Sequence, residues 1–152
     1  MNNLFYENAS VLIIGNEILS GRTIDKNFNY IATKLDEHGI SISESRTVSD
    51  SEEEIINAVN KLRKRFKYVF TTGGIGPTHD DITAESIAKA FNVKLEVNNE
   101  AYKILEDYYN NLGTEFNDIR QRMARIPKGA KLIKNQISAA PGFNIENVYV
   151  FA

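Results

Sequence analysis

The sequence has 152 residues, enough for one domain with a sizeable core, and sets 18 basic residues against 20 acidic ones. That balance gives no sign of the cationic surface that nucleic acid or an anionic membrane requires. The absence of cysteine removes disulfides, thiolate catalysis and cysteine metal sites. No apolar run approaches transmembrane length, and Met1-Asn2-Asn3-Leu4 lacks the basic start of a signal peptide, so a cytoplasmic protein is expected.

Val11-Leu12-Ile13-Ile14-Gly15 is a continuous apolar run, as expected for a strand buried on both faces. Asp25 is placed to cap a helix with the apolar stripe Phe28, Ile31, Ala32 and Leu35, which Gly39 ends. Residues 40–48 alternate as a second strand. Ser51 and Glu54 then read as a capping box opening a helix with Ile55, Ile56, Val59 and Leu62 inward. Tyr68-Val69-Phe70 is the third strand, followed by a glycine-rich turn and a helix over residues 82–91. Three strand–helix units in succession predict a mostly parallel sheet with right-handed crossovers.

Beyond Val97 the rhythm changes. Helical segments over residues 100–112 and 117–124 come without a strand between them, and Pro127 stops the second. Residues 131–134 and 148–152 read as strands bracketing a loop that holds Ala140-Pro141-Gly142-Phe143. The final run Val148-Tyr149-Val150-Phe151-Ala152 has no polar tail, so a domain cut from a longer protein is expected. The same apolar run predicts self-association, with Tyr102, Tyr108, Tyr109 and Phe116 as interface aromatics; for Phe116 core packing ranks slightly ahead.

The most informative stretch is Thr71-Thr72-Gly73-Gly74-Ile75-Gly76-Pro77-Thr78-His79-Asp80-Asp81-Ile82-Thr83. Glycines between a strand and a helix let a ligand approach the backbone, and the following helix offers its positive end to a phosphate. Asp80 and Asp81 would repel that phosphate unless a cation sits between them. The bland alternative is a turn that only reverses the chain, with Asp81 capping the next helix. No Gly-Lys-Ser/Thr follows, and the glycine spacing is not that of the dinucleotide fingerprint. A His-Asp metal phosphohydrolase centre at His79-Asp80 lacks ligands, because His38 is the only other histidine.

Several segments together resemble one family: Ile14-Gly15-Asn16-Glu17-Ile18-Leu19-Ser20-Gly21, Asp25-Lys26-Asn27, Thr47-Val48-Ser49-Asp50, the glycine loop, Ile126-Pro127-Lys128-Gly129-Ala130 with Asn135, and Ala140-Pro141-Gly142-Phe143. The chain resembles the molybdopterin-binding-like domain at the N-terminus of competence/damage-inducible CinA proteins, similar in fold to MogA and MoaB. The resemblance implies a three-layer α/β/α domain with the ligand at the C-terminal ends of parallel strands. In the molybdopterin branch it implies that Asp81 and Asp50 act in adenylylated-pterin binding and metal insertion. In the CinA branch it implies metal-dependent hydrolysis of the pyrophosphate in ADP-ribose, and dimers or trimers are common to the fold. The chain departs from the family's usual Gly-Asp-Glu at Gly15-Asn16-Glu17, so one candidate carboxylate is missing. It also has Ser138-Ala139 where the family often has Gly-Thr, and the family's following Pro-Gly-Val-Pro loop would lie past Ala152.

On the hydrolase reading, Gly73, Gly74 and Gly76 hold phosphate oxygens through N–H groups, with Pro77 and Thr78 among the ligand-binding residues. Asp80 and Asp81, with Glu17 or Asp50, hold a Mg²⁺- or Co²⁺-like cation, and one carboxylate orients water, Asp81 and Asp50 being the expected catalytic residues. Ser20 and Gly21 line the ribose or pterin end, a plain turn being an equal reading of Ser20. Thr83 is expected to cap the helix. The alternatives are a molybdopterin-binding module using the same loop, and a scaffold that has lost metal binding.

Overall fold

The computed structural model describes residues 7–152, so the start at Met1 to Leu4 lies outside the described residues. β1 (Glu7–Ile14) is buried along its last six residues, as an apolar run paired on both sides must be. The single-turn α1 (Asn16–Leu19) follows, then α2 (Asn27–Asp36) and β2 (Ile40–Val48). The alternating part closes with α3 (Glu52–Arg63), β3 (Tyr68–Thr72) and α4 (Thr83–Ala90). A helical excursion holds β4 (Leu95–Val97), α5 (Asn99–Asn111), α6 (Asp118–Gln121), a 3-10 turn at Arg122–Ala124 and β5 (Arg125–Pro127). β6 (Lys131–Ile133), β7 (Gly142–Ile145) and β8 (Val148–Phe151) return to the main sheet.

The sheet order is β2-β1-β3-β8-β7-β6. Pairing is parallel from β2 through β8, and β7 alone runs against the rest. The chain steps from β1 outward to β2 and then back across β1 to β3. With right-handed crossovers, that reversal puts α2 on one face of the sheet and α3 on the other. It also opens a crevice where the C-terminal ends of β1 and β3 diverge, the place where α/β sheets bind ligands.

The face carrying α3 and α4 is complete. Leu12, Ile14, Val69, Val148 and Val150 of the sheet pack with Ile55, Leu62, Ile87 and Leu105, all buried. The other face is not, among the described residues. The predicted stripe of α2 is only half-buried, and a groove of about 560 Å³ separates Ile31 and Leu35 from Phe70, Thr72 and Phe151.

Three local expectations need correction. Leu95–Val97 and Arg125–Pro127 pair as a small antiparallel ribbon where no strand was expected. Three-residue strands are too short for a period, and the residue before Pro127 is already biased to extended backbone. Gly142 and Phe143 begin β7 rather than lying in a loop; the β7–β8 turn places Glu146 at φ 48, so it lacks the usual Asn-Gly signal. Ser51 makes no side-chain cap, and three glutamates in the first turn offset the dipole of α3 instead. Tyr102 and Tyr109 pack on Phe116 beside the core, edge-on at 5.0 Å and stacked at 5.7 Å, in line with the core packing ranked ahead for Phe116, while Tyr108 stays exposed.

Candidate functional site

The glycine loop sits at the C-terminal end of β3, against the end of β1. Gly73 (φ 94) and Gly74 (φ 67) are both left-handed. A Cβ on Gly73 would lie 2.0 Å from the Ile14 carbonyl oxygen, and one on Gly74 would lie 2.1 Å from Thr83 Oγ1. Both glycines are therefore demanded by backbone geometry before any ligand is considered. The Thr83 hydroxyl donates to the Gly73 carbonyl (2.9 Å) and its N–H to the Gly74 carbonyl (3.1 Å). Thr83 thus ties the first turn of α4 to the loop; the cap position is Ile82, so the expected cap at Thr83 is corrected.

The loop closes on Asp81, whose Oδ2 accepts from the Thr78 N–H (2.8 Å) and hydroxyl (2.7 Å). Asp81 accordingly shapes the loop and does not cap α4. Among the described residues, the amides of Gly74, Ile75 and Gly76 donate to no backbone carbonyl. Pro77, which has no N–H, follows Gly76. A short run of unengaged N–H groups beside left-handed glycines has the form of an anion-binding nest.

Beside it lies a recess of about 280 Å³ lined by Glu17, Asp50, Asp80 and Asp81 with Asn16, Arg22 and Gly74. The parallel register delivers these residues from three strand ends: β1 supplies Asn16 and Glu17, β2 supplies Asp50, and β3 supplies the loop. Asp50 is fixed by a reciprocal clasp. Its Oδ2 accepts from the Asn16 N–H (2.9 Å), and its own N–H reaches Asn16 Oδ1 (3.4 Å). Asn16, seen in the sequence only as a departure, thereby joins the ends of β1 and β2. His79 Nε2 lies 3.1 Å from Asp80 Oδ1, both side chains largely in solvent.

Ser20 and Gly21 do not line the recess. Ser20 Oγ donates to the Glu17 carbonyl (3.2 Å) and accepts from Arg22 Nε (3.1 Å), and Gly21 turns the chain at φ 73. They position Arg22, which the sequence reading missed because nothing in its local pattern marks it. The carboxylate oxygens suit a hard cation in kind. Among the described residues, however, no three His, Asp or Glu side chains are grouped to hold an ion. The donor set is present but not assembled.

The family model described as "Probable molybdopterin binding domain" matches residues 10–151. The chain belongs to that family. Within it the domain is of the CinA type. It is similar to a CinA protein of unknown function from Thermoplasma acidophilum (TM-score 0.85, 32% identity, 95% of this chain and 86% of that one). A CinA-like protein of Citrifermentans bemidjiense is 40% identical over 135 residues, 89% of this chain and 33% of that protein. A Sulfurisphaera tokodaii protein is 42% identical over 138 residues, 90% of this chain and 52% of that protein. The molybdopterin-binding domain thus spans about half the length of the first of the curated relatives it matches. The tungsten cofactor synthesizing protein MoaB of Pyrococcus furiosus shares the fold (TM-score 0.57, 22% identity, 94% of this chain and 79% of that one). Among the described residues, no helix is long and apolar enough to cross a membrane.

Proposed function

We propose that this domain binds a phosphorylated small molecule at the glycine loop, with a molybdopterin-type pterin phosphate as the favoured ligand. The observation that carries the reading is the run of unengaged amides at Gly74, Ile75 and Gly76, held at the sheet's crevice by two left-handed glycines. The family membership favours the pterin. Arg22, on the recess rim, supplies a cation to the same phosphate. Titrating a pterin phosphate and ADP-ribose, each with and without Mg²⁺ or Co²⁺, tests this by calorimetry. Saturable binding of the pterin that Gly76→Ala weakens supports it; no binding of either ligand under any of these conditions defeats it.

A second reading is hydrolysis of a nucleotide-sugar pyrophosphate such as ADP-ribose, favoured by the four carboxylates lining one recess. A divalent cation held by Asp80, Asp81, Asp50 or Glu17 would neutralise the phosphates. Of these, Asp80 and Glu17 are exposed and uncommitted to the backbone clasps, so they are the residues free to orient water. Water adds across the P–O–P bridge to give AMP and ribose 5-phosphate; chromatography of the products after incubation with ADP-ribose and Mg²⁺ decides it. Self-association into a dimer or trimer is a further part of the proposal, carried by the exposed apolar residues Leu112 and Ile119 and read by light scattering.

A further inference from the structure

A second space adjoins the glycine loop. It is a small cavity of about 30 Å³ walled by Gly74, Gly76, Asp81, Arg122, Arg125 and Phe143. Gly74 and Asp81 also line the carboxylate recess, so the loop is a wall common to both spaces. Arg122 lies in the 3-10 turn and Arg125 directly after it. Arg122 reaches the cavity from the turn and Arg125 from the extended first residue of β5.

Neither arginine is engaged by the acids that share the cavity with it. Asp81 is committed to Thr78, and Glu85 lies 3.4 Å from Lys89. Arg125 Nε is cut off from solvent and has no hydrogen-bond partner among the described residues. A guanidinium N–H removed from water without an acceptor is costly, and folded proteins rarely leave one so. The planar fork of arginine matches phosphate oxygens in a bidentate way that lysine does not. The cavity is too small for a ring, and its size suits the oxygens of one anionic group.

We propose that Arg122 and Arg125 form a second anion subsite, beside the glycine loop, that strengthens binding of ligands carrying a diphosphate, such as an adenylylated pterin or ADP-ribose, over that of the same ligand class carrying one phosphate. This rests on the reading of the loop as a phosphate site. The first phosphate takes the amides of residues 74–76. The second, bonded to it, lies in the cavity that Gly74, Ile75 and Gly76 share with the arginines and takes the two guanidinium groups, including the Arg125 Nε–H.

The test is a nitrogen-15 NMR titration of the chain with inorganic orthophosphate and, separately, inorganic pyrophosphate. Pyrophosphate should bind roughly tenfold or more tightly than orthophosphate, as expected for added charge-assisted hydrogen bonds. It should shift the Nε–H signals of Arg122 and Arg125, which orthophosphate leaves in place. The double variant Arg122→Gln/Arg125→Gln should lose the pyrophosphate advantage and keep its orthophosphate affinity. The Nε–H signals of the unaltered chain carry the test even if that variant fails to fold. Loop amides that respond to both anions with equal affinity, or with both Nε–H signals unmoved, overturn the subsite and leave the loop reading standing. Loop amides that respond to neither anion overturn both.

Discussion

Alanine at Gly73 and at Gly76 should have very different consequences, because the two glycines answer different demands. Gly73 sits at φ 94, and its added Cβ would lie 2.0 Å from a backbone oxygen that cannot rotate aside. Left-handed backbone costs a side-chain-bearing residue about 1–2 kcal/mol. Displacing the loop from Ile14 adds an overpacking cost of about 1–3 kcal/mol. Losing the hydrogen bond from Thr83 to the Gly73 carbonyl adds roughly 0.5–1.5 kcal/mol. Gly73→Ala should therefore destabilise the fold by about 3–6 kcal/mol, a fall in Tm of roughly 6–24 °C for a chain of this length. At Gly76 the three nearest atoms belong to the Asp81 carboxylate, with Oδ2 at 2.5 Å, and that side chain can turn aside at the expense of its hydrogen bonds from Thr78. Gly76→Ala should cost about 1–3 kcal/mol through the two Thr78 bonds to Asp81, less than Gly73→Ala, and should also weaken ligand binding. Thermal unfolding followed by circular dichroism gives both values. Equal losses of stability, or a Gly73→Ala chain as stable as the parent, would refute this account of the loop.

Asn16→Asp places a second carboxylate against Asp50, whose Oδ2 already takes the residue 16 N–H. Mg²⁺ affinity measured by calorimetry should rise, and thermal stability without the ion should fall; unchanged Mg²⁺ affinity contradicts the assigned recess. Glu44 is held below the ordinary carboxylate range by its hydrogen bond to Arg46 and by the charges of Arg46 and Arg65. Its contribution to stability is thus complete above the unfolded-state value of about 4.3 and is lost as pH falls through the lower folded value. Glu44→Gln should flatten the acid limb of the stability curve below about pH 4 and leave its shape near neutrality unchanged. An acid limb identical to the parent's speaks against the pairing.

The alternating half of the chain was legible because long periods and punctuation agreed there. The apolar run in β1, the inward residues of α3, and the glycines after β3 each have a physical signature that survives without neighbours. What was missed depends on partners. β4, β5 and β7 are three or four residues long and become strands only through the strand beside them. The half-buried stripe of α2 has the pattern of a core helix, yet burial is a property of what packs against it. At the site, Asp50 and Asp81 could be placed on one sheet edge by topology alone. Their clasps with Asn16 and Thr78 could not, and neither could Arg22, Arg122 and Arg125, whose relevance lies in which cavity they border.

The central claim is that a ligand phosphate rests on the amides of Gly74, Ile75 and Gly76. A structure of the chain with a bound pterin phosphate or ADP-ribose tests it most directly. The account predicts phosphate oxygens at hydrogen-bonding distance, about 2.7–3.2 Å, from at least two of those amide nitrogens. Phosphates seated elsewhere, such as the apolar groove between α2 and Phe70, with the loop amides left to solvent, would contradict it.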